Sequence, residues 1–363
     1  MATRYDKPIP FGWFALEYSS ELTVGEVKPL TYFGRELVLF RTESGEARVL
    51  DAFCPHLGAH LGHGGVVKGD RIACPFHGWQ FDGNGICREV PYAKKMPPRV
   101  KDRQTIGAYP VIERNAMIWA WYHPENAAPD FEVETIPEIG SPDWTELDLY
   151  DWTINTIVQE TGENGADVAH FMFVHSSPEM PEGKVTMDGV KRSTLLMNKV
   201  PRINDEGETD ESGEDWEFIE VNSVNVGPGQ TIQRITRAFE VVMMGTITPI
   251  DDQHVHLRFI FTMPASQSDM NKVLAEATRD NIAGGVEQDI PIWNHKRYVD
   301  DPILCDGDVL SPSIENGLVS STSLADKTYC SCRTAPISAI KRGRITAVHR
   351  PYPLSLRCRP SIT

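Results

Sequence analysis

Cys54-Pro55-His56 and Cys74-Pro75-Phe76-His77 stand seventeen residues apart, and each stretch offers one thiolate and one imidazole. Two loops with that donor set are committed to meeting around one inorganic centre. A two-iron, two-sulfur cluster uses these ligands, with both cysteines on one iron and both histidines on the other. Neutral imidazoles leave less negative charge on the second iron, which raises the potential and localises an incoming electron there. Gly58, Gly62, Gly64 and Gly78 lie among and beside the ligands, where loops wrapped around a cluster need positive φ and close backbone approach. The alternative is a Cys2His2 zinc site. It fits less well, because zinc ligands usually come as Cys-x-x-Cys with paired histidines rather than one of each per loop.

The stretch CPHLGAHLGHGGVVKGDRIACPFHGWQF resembles the Rieske domain of non-haem iron oxygenases. Respiratory and photosynthetic Rieske proteins carry an extra cysteine in each loop, joined as a disulfide. Ala59 and Phe76 occupy those positions here, which favours the oxygenase branch.

A chain of 363 residues is long enough for two domains with cores of their own. It has no run of 18 apolar residues, so no membrane span is expected. The N-terminal MATRYDKPIPFGWF lacks the basic-then-apolar layout of a secretory signal, and a cytoplasmic protein is expected. Seven cysteines, two of them claimed by the cluster, leave an odd remainder that argues against a disulfide framework. Cys87 and Cys305 are expected to be buried small apolar residues. The net charge of −16 disfavours nucleic acid, which needs a basic face.

From Phe11 to about His123 the pattern is of short strands. Arg35–Phe40, Ala47–Leu50 and Ala116–Trp121 are bounded by turns such as Ser44-Gly45 and Asp82-Gly83-Asn84-Gly85. They predict a small antiparallel β-domain over 1–123 with the cluster loops at one tip. Residues 124–144, rich in Pro and acid, read as a surface linker. A second domain over 145–318 is strand-like from Trp216 to Met263, where Val255, Leu257, Phe259 and Phe261 alternate with His256, Arg258 and Ile260. The acidic stretch Asp205–Asp215 reads as a solvated loop. Met270, Val273, Leu274, Ala277 and Ile282 have helical spacing between Asp269 and Ile282. The fold class is α+β. Residues 319–363 carry eight Lys or Arg against one acid, with Cys330, Cys332 and Cys358 and no hydrophobic period. This tail is either a shifted reading frame or spliced end, or a divergent basic segment without ordered structure.

Asp167, His170 and His175 form Asp-x2-His-x4-His. Two imidazoles and one carboxylate on one face of a ferrous ion leave positions open for dioxygen and substrate. Residues five apart are about 140° apart on a helix, so both histidines can face one iron only if the helix ends or distorts between Phe171 and Val174. The segment VEQDIPIWNHKRY looks like the family's C-terminal ligand helix, which makes Asp289 the third ligand, ahead of Asp280, Asp300 and Glu287. Asp167, three residues before His170, shares a helix face with it and is expected to hold its ring. Glu163 and Asn164, one turn earlier, are candidates to line the iron pocket.

The resemblance implies a helix-grip-like antiparallel catalytic sheet and two cofactors, a Rieske-type [2Fe-2S] cluster on Cys54, His56, Cys74 and His77, and a mononuclear Fe(II) on His170, His175 and Asp289. It also implies an NAD(P)H-dependent ferredoxin reductase as partner, and a homotrimer in which Asp167 bridges to His77 of a neighbouring copy. ENGADVAHFMFVH and QDIPIWNHKRYVDDPILCDGD look most like the steroid-active branch. That points to O2-dependent 3-ketosteroid 9α-hydroxylation, with sterol 7-desaturation as the alternative. A Rieske electron carrier with a vestigial second domain is the non-enzymatic alternative.

Overall fold

The computed structural model describes residues 4–165, 167–177, 179–201, 216–236, 239–305 and 308. Asp205–Asp215, Cys330, Cys332 and Cys358 lie outside the described residues. In the N-terminal part, short antiparallel strands form three small sheets. The one bearing the cluster loops runs Val66–Lys68, Arg71–Ala73, Gln80–Asp82, Cys87–Glu89 in spatial order. A second joins Val27–Tyr32, Arg35–Arg41, Ala47–Asp51 and Ala108–Tyr109. The apolar runs fill a shared core of Val38, Phe40, Leu50, Leu61, Ile72 and Phe81. The Asp82–Gly85 turn forms as its composition requires. Asp82 Oδ1 accepts from the N–H groups of Asn84 and Ile86 at 2.9 and 3.0 Å. Gly85 has φ +70°, and a Cβ there would lie 2.0 Å from the Ile106 carbonyl oxygen, so only glycine fits.

The third N-terminal sheet, Gly12–Tyr18, Met117–Tyr122 and Val111–Arg114, lies against a seven-stranded antiparallel sheet. That larger sheet runs Asp148–Ile154, Val255–Thr262, Glu240–Pro249, Gln230–Thr236, Trp216–Val226, Lys191–Pro201, Glu182–Asp188. Trp13, Trp119 and Trp121 from one sheet pack with Ile232, Val242, Met244 and Ile260 from the other. Thr248 Oγ1 and Arg258 Nη1 donate to the Ala15 carbonyl at 2.6 and 3.2 Å. This contact revises the alternation expected along 255–261. Arg258 and Ile260 are as buried as Val255 and Leu257, because the N-terminal sheet covers the face that would otherwise meet water.

The segment expected to be a surface linker is exposed over 124–130 and then becomes a strap that anchors two side chains in that interface. Val133 and Ile136 are 2% and 1% exposed. Glu134 is held by Gln230, which accepts from its N–H at 2.8 Å and donates to its carbonyl at 2.9 Å. A few apolar side chains decide the path of a stretch whose overall composition is that of a loop.

Three α-helices among the described residues complete the C-terminal part: α1, Val158–Asn164; α2, His170–Phe173; and α3, Asp269–Trp293. Ser268 caps α3 through its hydroxyl, which accepts from the Asn271 N–H at 3.2 Å. The helix is longer than its hydrophobic spacing predicts. It continues through Gly284-Gly285, which interrupts the apolar period, and carries Asp289 on the same rigid rod; Pro291 stands in its last turn. Cys87 is buried as expected, but Cys305 is exposed, since the chain after α3 has left the core. No helix among the described residues is long and apolar enough to cross a membrane.

Candidate metal centres

The two cluster loops fold alike. Each cysteine carbonyl accepts from a glycine four residues on, Gly58 to Cys54 at 2.9 Å and Gly78 to Cys74 at 3.0 Å. Each cysteine N–H donates to the carbonyl five residues on, Ala59 at 2.9 Å and Trp79 at 2.8 Å. Both glycines have positive φ, +74° and +71°, which reverses the loop tightly enough to point thiol and imidazole the same way. The His56 and His77 rings lie 4.8 Å apart, and His56 stacks on Trp79 at 4.6 Å. Trp79 Nε1 donates to Tyr92 Oη at 2.9 Å.

Two observations fit this set to a metal cluster. His77 Nδ1 is buried with no hydrogen-bond partner, an orphan that costs stability unless something binds it. Burial pushes the Cys54 thiol up to about 12, and the neighbouring Cys74 sulfur adds to the shift. Two adjoining buried thiols ionise readily only when a cation joins them. Large apolar side chains surround this tip and face water: Phe53, Leu57, Phe76 and Tyr92.

The second constellation forms where α1, α2 and α3 meet. Helix α2 ends at Phe173, and His175 follows in the bend beyond it. This break brings the two rings within 5.0 Å of each other at 76°. Asp289 Oδ1 lies 3.5 Å from His175 Nε2. One potential ligand atom from each of His170, His175 and Asp289 falls within 4.8 Å of the others, a spacing that fits two imidazoles and a carboxylate on one face of a ferrous ion. His170 Nδ1 donates to the Asp167 carbonyl at 2.7 Å, and His175 Nδ1 donates to Gln288 Oε1 at 2.8 Å. Both bonds leave Nε2 with its lone pair for a metal. Burial lowers the pKa of His170 and raises that of Asp289. The imidazole is thereby kept neutral, as a ligand must be, and a cation held beside Asp289 would oppose the shift that burial imposes on its carboxylate.

Asp167 does hold His170, though by a different route from the one its spacing suggests. It precedes α2 rather than sharing a face with it, and its main-chain oxygen fixes the ring. Its carboxylate Oδ1 accepts from the N–H groups of Ala169 and His170 at 2.9 and 3.4 Å, and the group stays partly open to solvent. Asn164 lies in the pocket, with Nδ2 donating to Asp289 Oδ2 at 3.0 Å and lying 3.4 Å from His170 Nε2. Glu163 turns away to Lys296 at 3.4 Å. The other carboxylates are engaged elsewhere: Asp280 with Arg279 and Tyr150, and Asp300 with Lys7. Glu287 is exposed on α3. Gln288 was not singled out by sequence, because a glutamine beside a ligand carries no signal of its own. Gly285 comes close to the same ring, where a Cβ would lie 3.6 Å from His175.

A cavity of about 1040 Å³ adjoins these residues, walled by the seven-stranded sheet and α3. Leu196, Val221, Ile235, Phe239, Met243, Phe259 and Leu274 line much of it.

Residues 12–110 match the Rieske [2Fe-2S] domain, and residues 120–312 match the 3-ketosteroid 9alpha-hydroxylase C-terminal domain. The chain belongs to the Rieske non-haem iron oxygenases. Members of this family are oxidoreductases with a Rieske-type cluster and a mononuclear iron as cofactors, and both donor sets described above fit them. The chain is 32% identical to the oxygenase component of 3-ketosteroid-9-alpha-monooxygenase from Rhodococcus rhodochrous, over 82% of this chain and 78% of that one. It is also 32% identical to cholesterol 7-desaturase nvd 1 of Ciona intestinalis, over 83% of this chain and 66% of that protein's length. The Rieske oxygenase fold extends to Pseudomonas putida CBB5 NdmA, solved with caffeine, at a TM-score of 0.66 and 17% identity, covering 87% of this chain and 97% of that one.

Proposed function

We propose that the chain is the oxygenase component of a steroid monooxygenase that hydroxylates an unreactive carbon–hydrogen bond of a 3-ketosteroid. The observation that carries this reading is the apolar cavity of about 1040 Å³ opening onto His170, His175 and Asp289. A cavity just above the range of about 300–1,000 Å³ usual for small-molecule sites suits a fused-ring substrate.

On this reading Cys54 and Cys74 hold one iron of the cluster, His56 and His77 the other, and His170, His175 and Asp289 hold the mononuclear iron. When bound, the two centres supply single-electron delivery and dioxygen activation, respectively. The residues of the chain position and protect. Asp167 and Gln288 fix the two imidazoles, Asn164 holds the Asp289 carboxylate in place, and the apolar walls orient the substrate and exclude water. One O2, two electrons from an NAD(P)H-dependent reductase and two protons convert the C–H bond to C–OH, with one water released.

The cluster-bearing part spans 1–123 and the catalytic part 145–318 in a cytoplasmic protein. A homotrimer suits the exposed side chains around both centres. Phe53, Leu57, Phe76 and Tyr92 surround the cluster, and Phe173, 84% exposed, follows the iron histidine His170. Facing each other across a subunit contact, they would bury these surfaces and bring Asp167 toward the neighbouring copy's cluster. Desaturation is the second reading, favoured by the similarity to cholesterol 7-desaturase nvd 1. It uses the same O2, electrons and protons but removes two hydrogens from the substrate and releases two waters.

The test is single turnover. Chemically reduced holoenzyme is mixed with a steroid panel and O2, and the products are read by mass spectrometry. Gain of one oxygen is expected from a 3-ketosteroid; loss of two hydrogens from a sterol would establish desaturation. Slow cluster oxidation without product from any steroid would leave only an electron carrier.

A further inference from the structure

On the cavity face of the large sheet, cross-strand neighbours fall into rows. Arg192, Asn225 and Thr231 form one row, Thr194, Ser223 and Gln233 the next, and Leu196, Val221 and Ile235 the third. Two polar rows at one end thus give way to an apolar one. Thr194 buries a hydroxyl that has no hydrogen-bond partner. Arg192 lines the cavity and is 8% exposed.

The bonds of Arg192 do not account for its charge. Nη1 donates to the Gly162 carbonyl at 3.1 Å, and Nε and Nη2 donate to Asn225 Oδ1 at 3.3 and 3.0 Å. Asn225 spends its own Nδ2 on Thr231 Oγ1 at 2.6 Å. A guanidinium has five N–H bonds, so one on Nη1 and one on Nη2 remain without a partner among the described residues. Both acceptors are neutral, and among those residues no carboxylate pairs with Arg192. Burial accordingly lowers its pKa. Bracing α1 against the sheet explains the bond to Gly162 and the close approach to Gly165, where a Cβ would lie 3.3 Å from Nη2. It does not explain why a buried cation does this work, since an uncompensated buried charge is costly.

We propose that Arg192 anchors a carboxylate of the substrate, so that the cavity takes a steroid acid. The two remaining N–H bonds, one on each terminal nitrogen, match the two oxygens of a carboxylate. The ring system then extends over Leu196, Val221 and Ile235. This inference rests on the steroid reading above and narrows its substrate class.

The experiment compares a steroid carboxylic acid with its own methyl ester on the holoenzyme, by equilibrium dialysis for binding and by O2 uptake for turnover. The acid should bind about tenfold or more tighter than the ester, the scale of a charge-assisted pair. Arg192→Met should bring the two within about twofold, and Arg192→Lys should keep part of the preference as a point charge. The wild-type ratio and the lysine variant decide the matter if the methionine variant fails to fold. Equal binding of acid and ester by the wild type, or a preference that survives in Arg192→Met, overturns the proposal. Oxidation of a neutral 3-ketosteroid without preferential binding of the acid sinks the Arg192 assignment and leaves the steroid reading standing. Tight Arg192-dependent binding of the acid with no oxidation of any steroid does the reverse.

Discussion

A His170→Ala variant is expected to lose the mononuclear iron and its turnover while keeping the absorbance of the cluster. Removing an outer partner of a metal ligand typically costs about 10–100-fold in metal affinity or activity. Loss of one of three protein ligands should therefore reduce activity by more than about 100-fold. The separation of the two centres makes this selective. His170 belongs to α2 in the catalytic part, whereas the cluster loops are built on the sheet from Val66 to Glu89 with a core of their own. Iron analysis, visible spectra and product yield on the same preparation check the result, and unchanged turnover would refute the ligand assignment. The Asp289 carboxylate should respond as well. Without His170 and the metal, the buried carboxylate faces a single imidazole, and its pKa, already raised by burial, should rise further.

Asp167→Asn is the second large effect, and it separates two roles held by one residue. The main-chain carbonyl that fixes His170 survives the substitution, so the iron should remain bound. The amide oxygen of asparagine can still accept from the Ala169 N–H, so the start of α2 should also survive. What is lost is the negative charge of a carboxylate that remains partly open to solvent. If that charge bridges the iron site to a neighbouring copy's cluster, cluster oxidation in a single turnover should slow by about 10–100-fold with both metals at full occupancy. Rapid oxidation in this variant would leave the Asp167 carboxylate as a cap and nothing more.

The parts of the molecule legible in the sequence are those where chemistry restricts the residue type. The proposed cluster loops pair one thiol with one imidazole each, a combination that few other chemistries use, and Gly58 and Gly78 are needed where φ is positive. The expected break after His170 follows from helix geometry alone, and α2 does end at Phe173. What could not be read depends on partners distant in sequence. The strap through Val133 and Ile136 looks like a loop until the two sheets it wedges between are known. The second buried face of Val255–Thr262 exists only because the N-terminal sheet covers it. The spacing of Asp167 suggests a helix face, yet the residue lies before the helix and holds His170 through its backbone. Gln288 acquires a role only when α3 brings it to His175, 113 residues away in sequence.

On this reading one polypeptide houses two distinct iron centres. Determination of iron and acid-labile sulfide per chain, with Mössbauer spectroscopy of isotopically enriched protein, tests it most directly. About three irons and two sulfides per chain are expected, with two irons as a cluster pair of unlike ligation and the third a separate ferrous ion that His170→Ala removes. Iron without acid-labile sulfide, or iron confined to the cluster pair in fully matured protein, would contradict it.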